Sequence, residues 1–176
     1  MHKPGFAGRH LIWTIAAASA ATLALAASTA SAAPASTRRC DTLTLVVWLD
    51  TQGNGAAGSI FYDLMLTNLS GRTCTLAGYP GVSAVNLTGR QFGKAARRNP
   101  QHTPRTITLA DGASAKAVLQ ITDVANFPAA TCRPVNAAGL RVYPPNQTTS
   151  KIVPFPFRAC SRNGPVYLSV EAVQHA

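Results

Sequence analysis

From Thr42 onward, apolar residues recur at every second position, in short runs broken by glycine, proline, asparagine and aspartate. A period of two is the spacing at which side chains of a strand share one face, and no stretch of this part keeps a helical period. Residues 42–49 place Leu43, Leu45, Val47 and Leu49 together, and residues 59–68 do the same with Ile60, Tyr62, Leu64 and Leu66. Residues 113–121 alternate through Ala113, Ala115, Ala117, Leu119 and Ile121. Shorter candidates are 82–87, 105–109, 140–143, 152–157 and 166–170. Pro154 and Pro156 send 152–157 to a sheet edge, because proline has no N–H for an inner ladder. Residues 52–58 read as a glycine-rich connection, long for a tight hairpin. Asn68-Leu69-Ser70-Gly71 and Asp111-Gly112 read as turns, and Tyr79-Pro80-Gly81 as a type II turn with Gly81 left-handed. Residues 123–130 have room for one helical turn. About eight short strands with frequent turns predict an all-β fold, an antiparallel β-sandwich.

The first fifth of the chain follows a different grammar. Residues 11–27 carry no charge, follow a basic start with Lys3 and Arg9, and lead into Ser28-Thr29-Ala30-Ser31-Ala32-Ala33. That is the layout of a secretory signal peptide, with small residues at Ala30 and Ala32 favouring cleavage after Ala32. The expected organisation is a leader over 1–32, a short mobile tail over 33–41 and a single domain over 42–176. No later segment of the mature chain reaches the ~20 apolar residues that a spanning helix needs. Losing Lys3 and Arg9 lowers the formal charge from +10 to +8, so the exported protein is basic. The implied address is secreted and extracellular. Thr37-Arg38-Arg39 is the wrong context for lipid attachment at Cys40, which argues for release rather than anchoring.

Cys40, Cys74, Cys132 and Cys160 all fall in the exported part. An even cysteine count in an oxidising compartment reads as a disulfide framework. No Cys-x-x-Cys or His-x-x-x-His spacing occurs, so neither a metal nor a cofactor is expected. Cys40 precedes the first strand and Cys74 follows the second, so antiparallel pairing of those strands brings the two together. The same geometry applies to Cys132 and Cys160 around the 140–143 and 152–157 strands. The predicted pairs are Cys40–Cys74 and Cys132–Cys160.

The order Cys40, Ala57-Gly58-Ser59, Leu66-Thr67-Asn68, Cys74-Thr75-Leu76, Gly78-Tyr79-Pro80-Gly81-Val82, Asp111-Gly112 and Cys132 resembles exported actinobacterial proteins sharing the domain of unknown function 4232. Thr67-Asn68 followed by the Cys74–Val82 stretch is the most specific part. The resemblance spans nearly all of the mature chain. It implies an immunoglobulin-like sandwich and an extracytoplasmic address, and it brings no activity and no catalytic residues.

Residues 88–105 hold Arg90, Lys94, Arg97, Arg98, Arg105 and His102 without one acidic residue. A basic, flexible loop can hold anionic polymers of a cell envelope by releasing their counterions. The competing reading is a solvated loop whose charge aids solubility. Nucleic acid is not an expected partner, since only Phe92 is available for base stacking. Catalysis finds little support. His102 lies in the basic loop, His175 lies next to a terminus, and the acidic residues are scattered. No phosphate loop, calcium loop or serine elbow occurs, so no catalytic residue is assigned and a non-enzyme is expected. Trp48, Phe61, Tyr62, Tyr79, Phe155 and Phe157 form either an exposed binding face or an outer cover for the fold. Asn68, Asn86 and Asn146 head glycosylation-type triplets that read as turn chemistry.

These readings converge on a secreted, non-enzymatic binding module acting in or near the cell envelope. Its partner is an anionic envelope polymer or an extracellular protein. Two alternatives stand beside it. One is an inhibitor of an extracellular hydrolase, presenting Asn99-Pro100-Gln101-His102-Thr103-Pro104 as a rigid loop. The other is a carrier of an apolar small molecule between two sheets.

Overall fold

The computed structural model describes Gly5 and residues 37–176. Apart from Gly5, the expected leader lies outside the described residues, as do residues 33–36 of the expected tail. In chain order the strands are β1 (Leu45–Ala56), β2 (Ser59–Asn68), β3 (Cys74–Ala77), β4 (Gly81–Val85), β5 (Gln91–Phe92) and β6 (Arg97–Arg98). They continue with β7 (Thr106–Leu109), β8 (Ser114–Thr122), β9 (Pro134–Tyr143), β10 (Lys151–Cys160), β11 (Leu168–Val170) and β12 (Gln174–His175). One sheet runs β1-β2-β8-β11-β6, with β12 also pairing β8; the other runs β10-β9-β4-β5; β3 and β7 form a separate ribbon. Leu64, Leu66 and Leu119 from the first sheet meet Val82, Leu140 and Val142 from the second in one buried cluster. Each fully buried side chain of this size contributes roughly 1.5–3 kcal/mol. The architecture is the expected β-sandwich. Its pairings are antiparallel except where β6 joins β11 in parallel, Arg97 beside Ser169.

Alternation places β2 and β8 well, because each buries one face: Leu64 and Leu66 in β2, and Ala115, Ala117, Leu119 and Ile121 in β8. It fails at the first strand. Residues Thr42–Thr44 form a 3-10 turn instead, and Asp41 caps it by accepting a hydrogen bond from the Leu43 N–H at 2.9 Å. Leu43 therefore stands 75% exposed, while Leu45 and Leu49 are buried as expected. The glycine-rich connection is also shorter than expected. β1 continues to Ala56, its extra residues absorbed in a register shift between Asp50 and Asn54. A two-residue turn, Ala57-Gly58, then closes the hairpin with φ of 44° and 72°. Positive φ at both positions is what a type I′ turn requires, and it matches the twist of the paired strands.

Two further expectations need correction. Gly81 is not left-handed; it opens β4 opposite Tyr143, and the positive φ of 103° belongs to Gly78. The tail over 33–41 is fixed at its end. The Thr75 N–H donates to the Arg38 carbonyl and the Cys40 N–H donates to the Thr75 carbonyl, both at 3.0 Å. β10 lies at a sheet edge as Pro154 and Pro156 require, with a register shift between Pro154 and Phe157. The single helical turn α1 (Ala129–Cys132) and a 3-10 turn at Val124–Asn126 fill the space expected within 123–130.

Both disulfides pair as the strand order predicts, Cys40–Cys74 and Cys132–Cys160, with Cα separations of 4.9 and 4.6 Å. Asn68 is fully buried at the end of β2. Its side-chain amide donates to the carbonyls of Arg72 at 2.8 Å and of Leu109 and Ala110 at 3.1 Å. Its side-chain oxygen accepts from the Ser70 N–H at 3.1 Å. One asparagine thus ties the β2–β3 turn to the β7–β8 turn, and it leaves no accessible acceptor for a glycan.

Candidate functional site

The basic segment is a structural crossover. β5 lies at the edge of one sheet and β6 at the edge of the other, so the residues between them carry the chain across the sandwich. Main-chain hydrogen bonds fasten it to both sheets: Ala96 N–H to the Val82 carbonyl and Asn99 N–H to the Val170 carbonyl, each 2.8 Å. The flexible loop expected from composition is therefore tied down through this stretch. Its cations remain on the surface, with Arg90, Lys94, Arg97, Arg98 and Arg105 all exposed. The Arg90 guanidinium lies 5.9 Å from the centre of the Phe92 ring and that of Arg98 5.5 Å from Tyr79. Such placements orient a guanidinium while leaving its N–H groups for a ligand. Among the described residues, the ion pairs are His102–Glu171 at 2.8 Å and Lys116–Asp63 at 3.2 Å. Neither involves these five cations.

The segment does have an acidic neighbour, and sequence proximity could not reveal it. Glu171 is buried, with its Oε2 2.8 Å from His102 Nδ1 although 69 residues separate the two. Asn99 Nδ2 donates to Glu171 Oε1 at 3.5 Å, and Gln174 Nε2 lies 3.3 Å from His102 Nδ1. Glu171 therefore anchors the 99–104 stretch to the strand end after β11. His175, next to the C-terminus, pairs through β12 with Ala115 of β8.

The six aromatics do not form one face. Tyr62 and Phe155 pack edge to face at 5.0 Å, and Phe155 and Phe157 stack at 5.6 Å. With the Ala57-Gly58 turn they border a mainly apolar surface groove of about 470 Å³. Trp48 is on the outer surface, its indole N–H donating to Thr67 Oγ1 at 3.2 Å, and Tyr79 lies apart beneath Arg98. Phe61 is half-buried. Tyr167, which alternation did not single out, is the largest fully buried side chain. Among the described residues its hydroxyl meets no hydrogen-bond partner, and burial raises the phenol well above the usual tyrosine range.

Among the described residues no three His, Cys, Asp or Glu side chains gather as metal ligands. No helix among them is long and apolar enough to cross a membrane. What defines this molecule is a two-layer β-sandwich, stapled by two disulfides, with arginines fixed along the edge where the chain changes sheets. The chain belongs to the family described as Domain of unknown function (DUF4232), whose model matches residues 40–174. No curated protein and no solved structure matches it significantly. The match takes in both disulfides and the Asn68 clamp.

Proposed function

We propose that this protein is a secreted, non-enzymatic binding module that attaches to anionic polymers of the cell envelope through its arginine-bearing edge. The observation that carries this reading is the state of Arg97 and Arg98. Their main chain is locked in β6 beside β11, while both side chains are exposed and neither meets a carboxylate. A fixed backbone lowers the ordering cost of binding, and exposed cations gain by displacing the polymer's counterions. The leader grammar and the two disulfides support an oxidising, extracytoplasmic setting. The test compares wild type with the Arg97→Gln, Arg98→Gln double variant on isolated cell wall across a salt series. Log affinity should fall linearly with log salt, and the double variant should flatten that slope by roughly 1.4–1.8, two contacts' worth. Its melting temperature should stay close to wild type, because exposed charges contribute little to folding. Equal binding by the two proteins at every salt concentration would reduce the edge to a solubilising surface.

A second reading draws support from the groove beside Tyr62, Phe155 and Phe157, whose volume falls within the range of small-molecule sites. In that reading the protein carries an apolar small molecule. Native mass spectrometry of protein taken from its own culture medium should then show a bound mass that Phe155→Ser abolishes; a bare wild-type protein would count against it.

A further inference from the structure

Three surface depressions join into a single track. The first, about 490 Å³, is bordered by Tyr79 and Arg98. The second, about 130 Å³, is bordered by Arg39 and Thr106. The third, about 280 Å³, is bordered by Arg38, Arg39 and Arg72. Asn146 and Gln147 are walls of both the first and the second, and Arg39 and Gln147 are walls of both the second and the third. Arg38, Arg39 and Arg72 do not stand out in sequence, because two of them read as tail and the third as turn.

The floor of this track is built rather than incidental. Gln147 Nε2 donates to the Cys40 carbonyl at 3.2 Å, and Asn146 Nδ2 donates to the Ala77 carbonyl at 3.0 Å. Arg39 bridges to Thr75 beside the Cys40–Cys74 disulfide, which fixes its main chain. The side chains of Arg38, Arg39 and Arg72 make no hydrogen bond or ion pair among the described residues. One carboxylate borders the third depression, that of Asp41, and its Oδ1 is occupied in capping Leu43. The track's four cations, Arg98, Arg39, Arg38 and Arg72, are all arginines, whose planar fork offers two parallel N–H groups to a phosphate.

We infer that this track receives a linear phosphate-bearing polymer, with successive phosphates met by Arg98, Arg39, Arg38 and Arg72. A single anion would occupy one depression; depressions that share walls and repeat arginines suit a chain. The inference rests on the binding reading above and names the ligand chemistry of the same basic surface.

The test measures binding of linear inorganic polyphosphate, and separately of free inorganic phosphate, by wild type and two triple variants. One variant is Arg38→Gln, Arg39→Gln, Arg72→Gln; the other is Lys151→Gln, Arg158→Gln, Arg162→Gln, which removes the same charge away from the track. The track variant should bind polyphosphate at least tenfold more weakly, with a salt slope lower by roughly 2–3, while the off-track variant keeps most of the affinity. Arg72→Gln alone, at an exposed position, should lower the slope by roughly 0.7–0.9 and serves if the triple variant misfolds. Equal losses in both triple variants would overturn the track and leave the edge reading standing, since net charge alone would then explain binding. Free phosphate matching the polymer would overturn the linear fit. Failure of wild type to bind polyphosphate overturns the track, whereas the cell-wall comparison with Arg97 and Arg98 judges the broader reading separately.

Discussion

Reducing both disulfides should unfold the protein at room temperature. The Cys40–Cys74 and Cys132–Cys160 bridges close segments with sequence separations of 34 and 28. On the chain-entropy estimate each contributes about 3.5 kcal/mol, so together they supply about 7 kcal/mol. Domains of this size are stable by only about 5–15 kcal/mol in total, and this one has a fully buried disulfide pair in Cys132 and Cys160 where hydrophobic packing would otherwise stand. Far-ultraviolet circular dichroism after reduction should show loss of the strand signal, and each Cys→Ala pair alone should lower stability by about 3.5 kcal/mol in urea. A reduced protein that keeps its native spectrum and melting temperature would mean that the core holds the fold without the bridges.

Asn68→Ala should destabilise the protein strongly for the loss of a single polar side chain. It removes two amide N–H groups shared among three carbonyls, and one accepted bond, at a position with no exposure, leaving the carbonyls of Arg72, Leu109 and Ala110 without this donor. At about 1 kcal/mol for each bond, offset by partial relaxation of the turn, the loss is about 3 kcal/mol. For a domain of this size that lowers the melting temperature by roughly 10 °C. Ser70→Ala, which removes only an exposed bond to the Arg72 carbonyl, should stay within about 0.5 kcal/mol of wild type. Urea unfolding of the two variants separates them; similar small losses would mean that the Thr67-Asn68 motif is not a clamp.

The fold was readable wherever one face of a strand is buried and the other is not. β2 and β8 satisfy that condition along their inner lengths, so the period of two located them. The period says nothing about a turn whose residues happen to alternate, and Leu43 was misplaced for that reason: the deciding interaction is the Asp41 cap. β5, β6 and β12 have two residues each, too few to show any period. The disulfide pairing followed from strand order because each bridge closes an antiparallel hairpin, a local relation. The basic residues were visible as composition, but their surroundings were not. That the segment crosses between sheets, that Glu171 holds His102, and that Arg38 and Arg39 lie along β3 all depend on contacts far apart in sequence.

The claim at the centre of this account is that the arginine surface binds anionic envelope material by releasing counterions. The most direct measurement is the affinity of the wild-type protein for isolated cell wall as salt is raised. Five contacts, from Arg90, Lys94, Arg97, Arg98 and Arg105, predict a straight line of log affinity against log salt with a slope of roughly −3.5 to −4.5. A flat line, or no binding at the lowest salt, would contradict it.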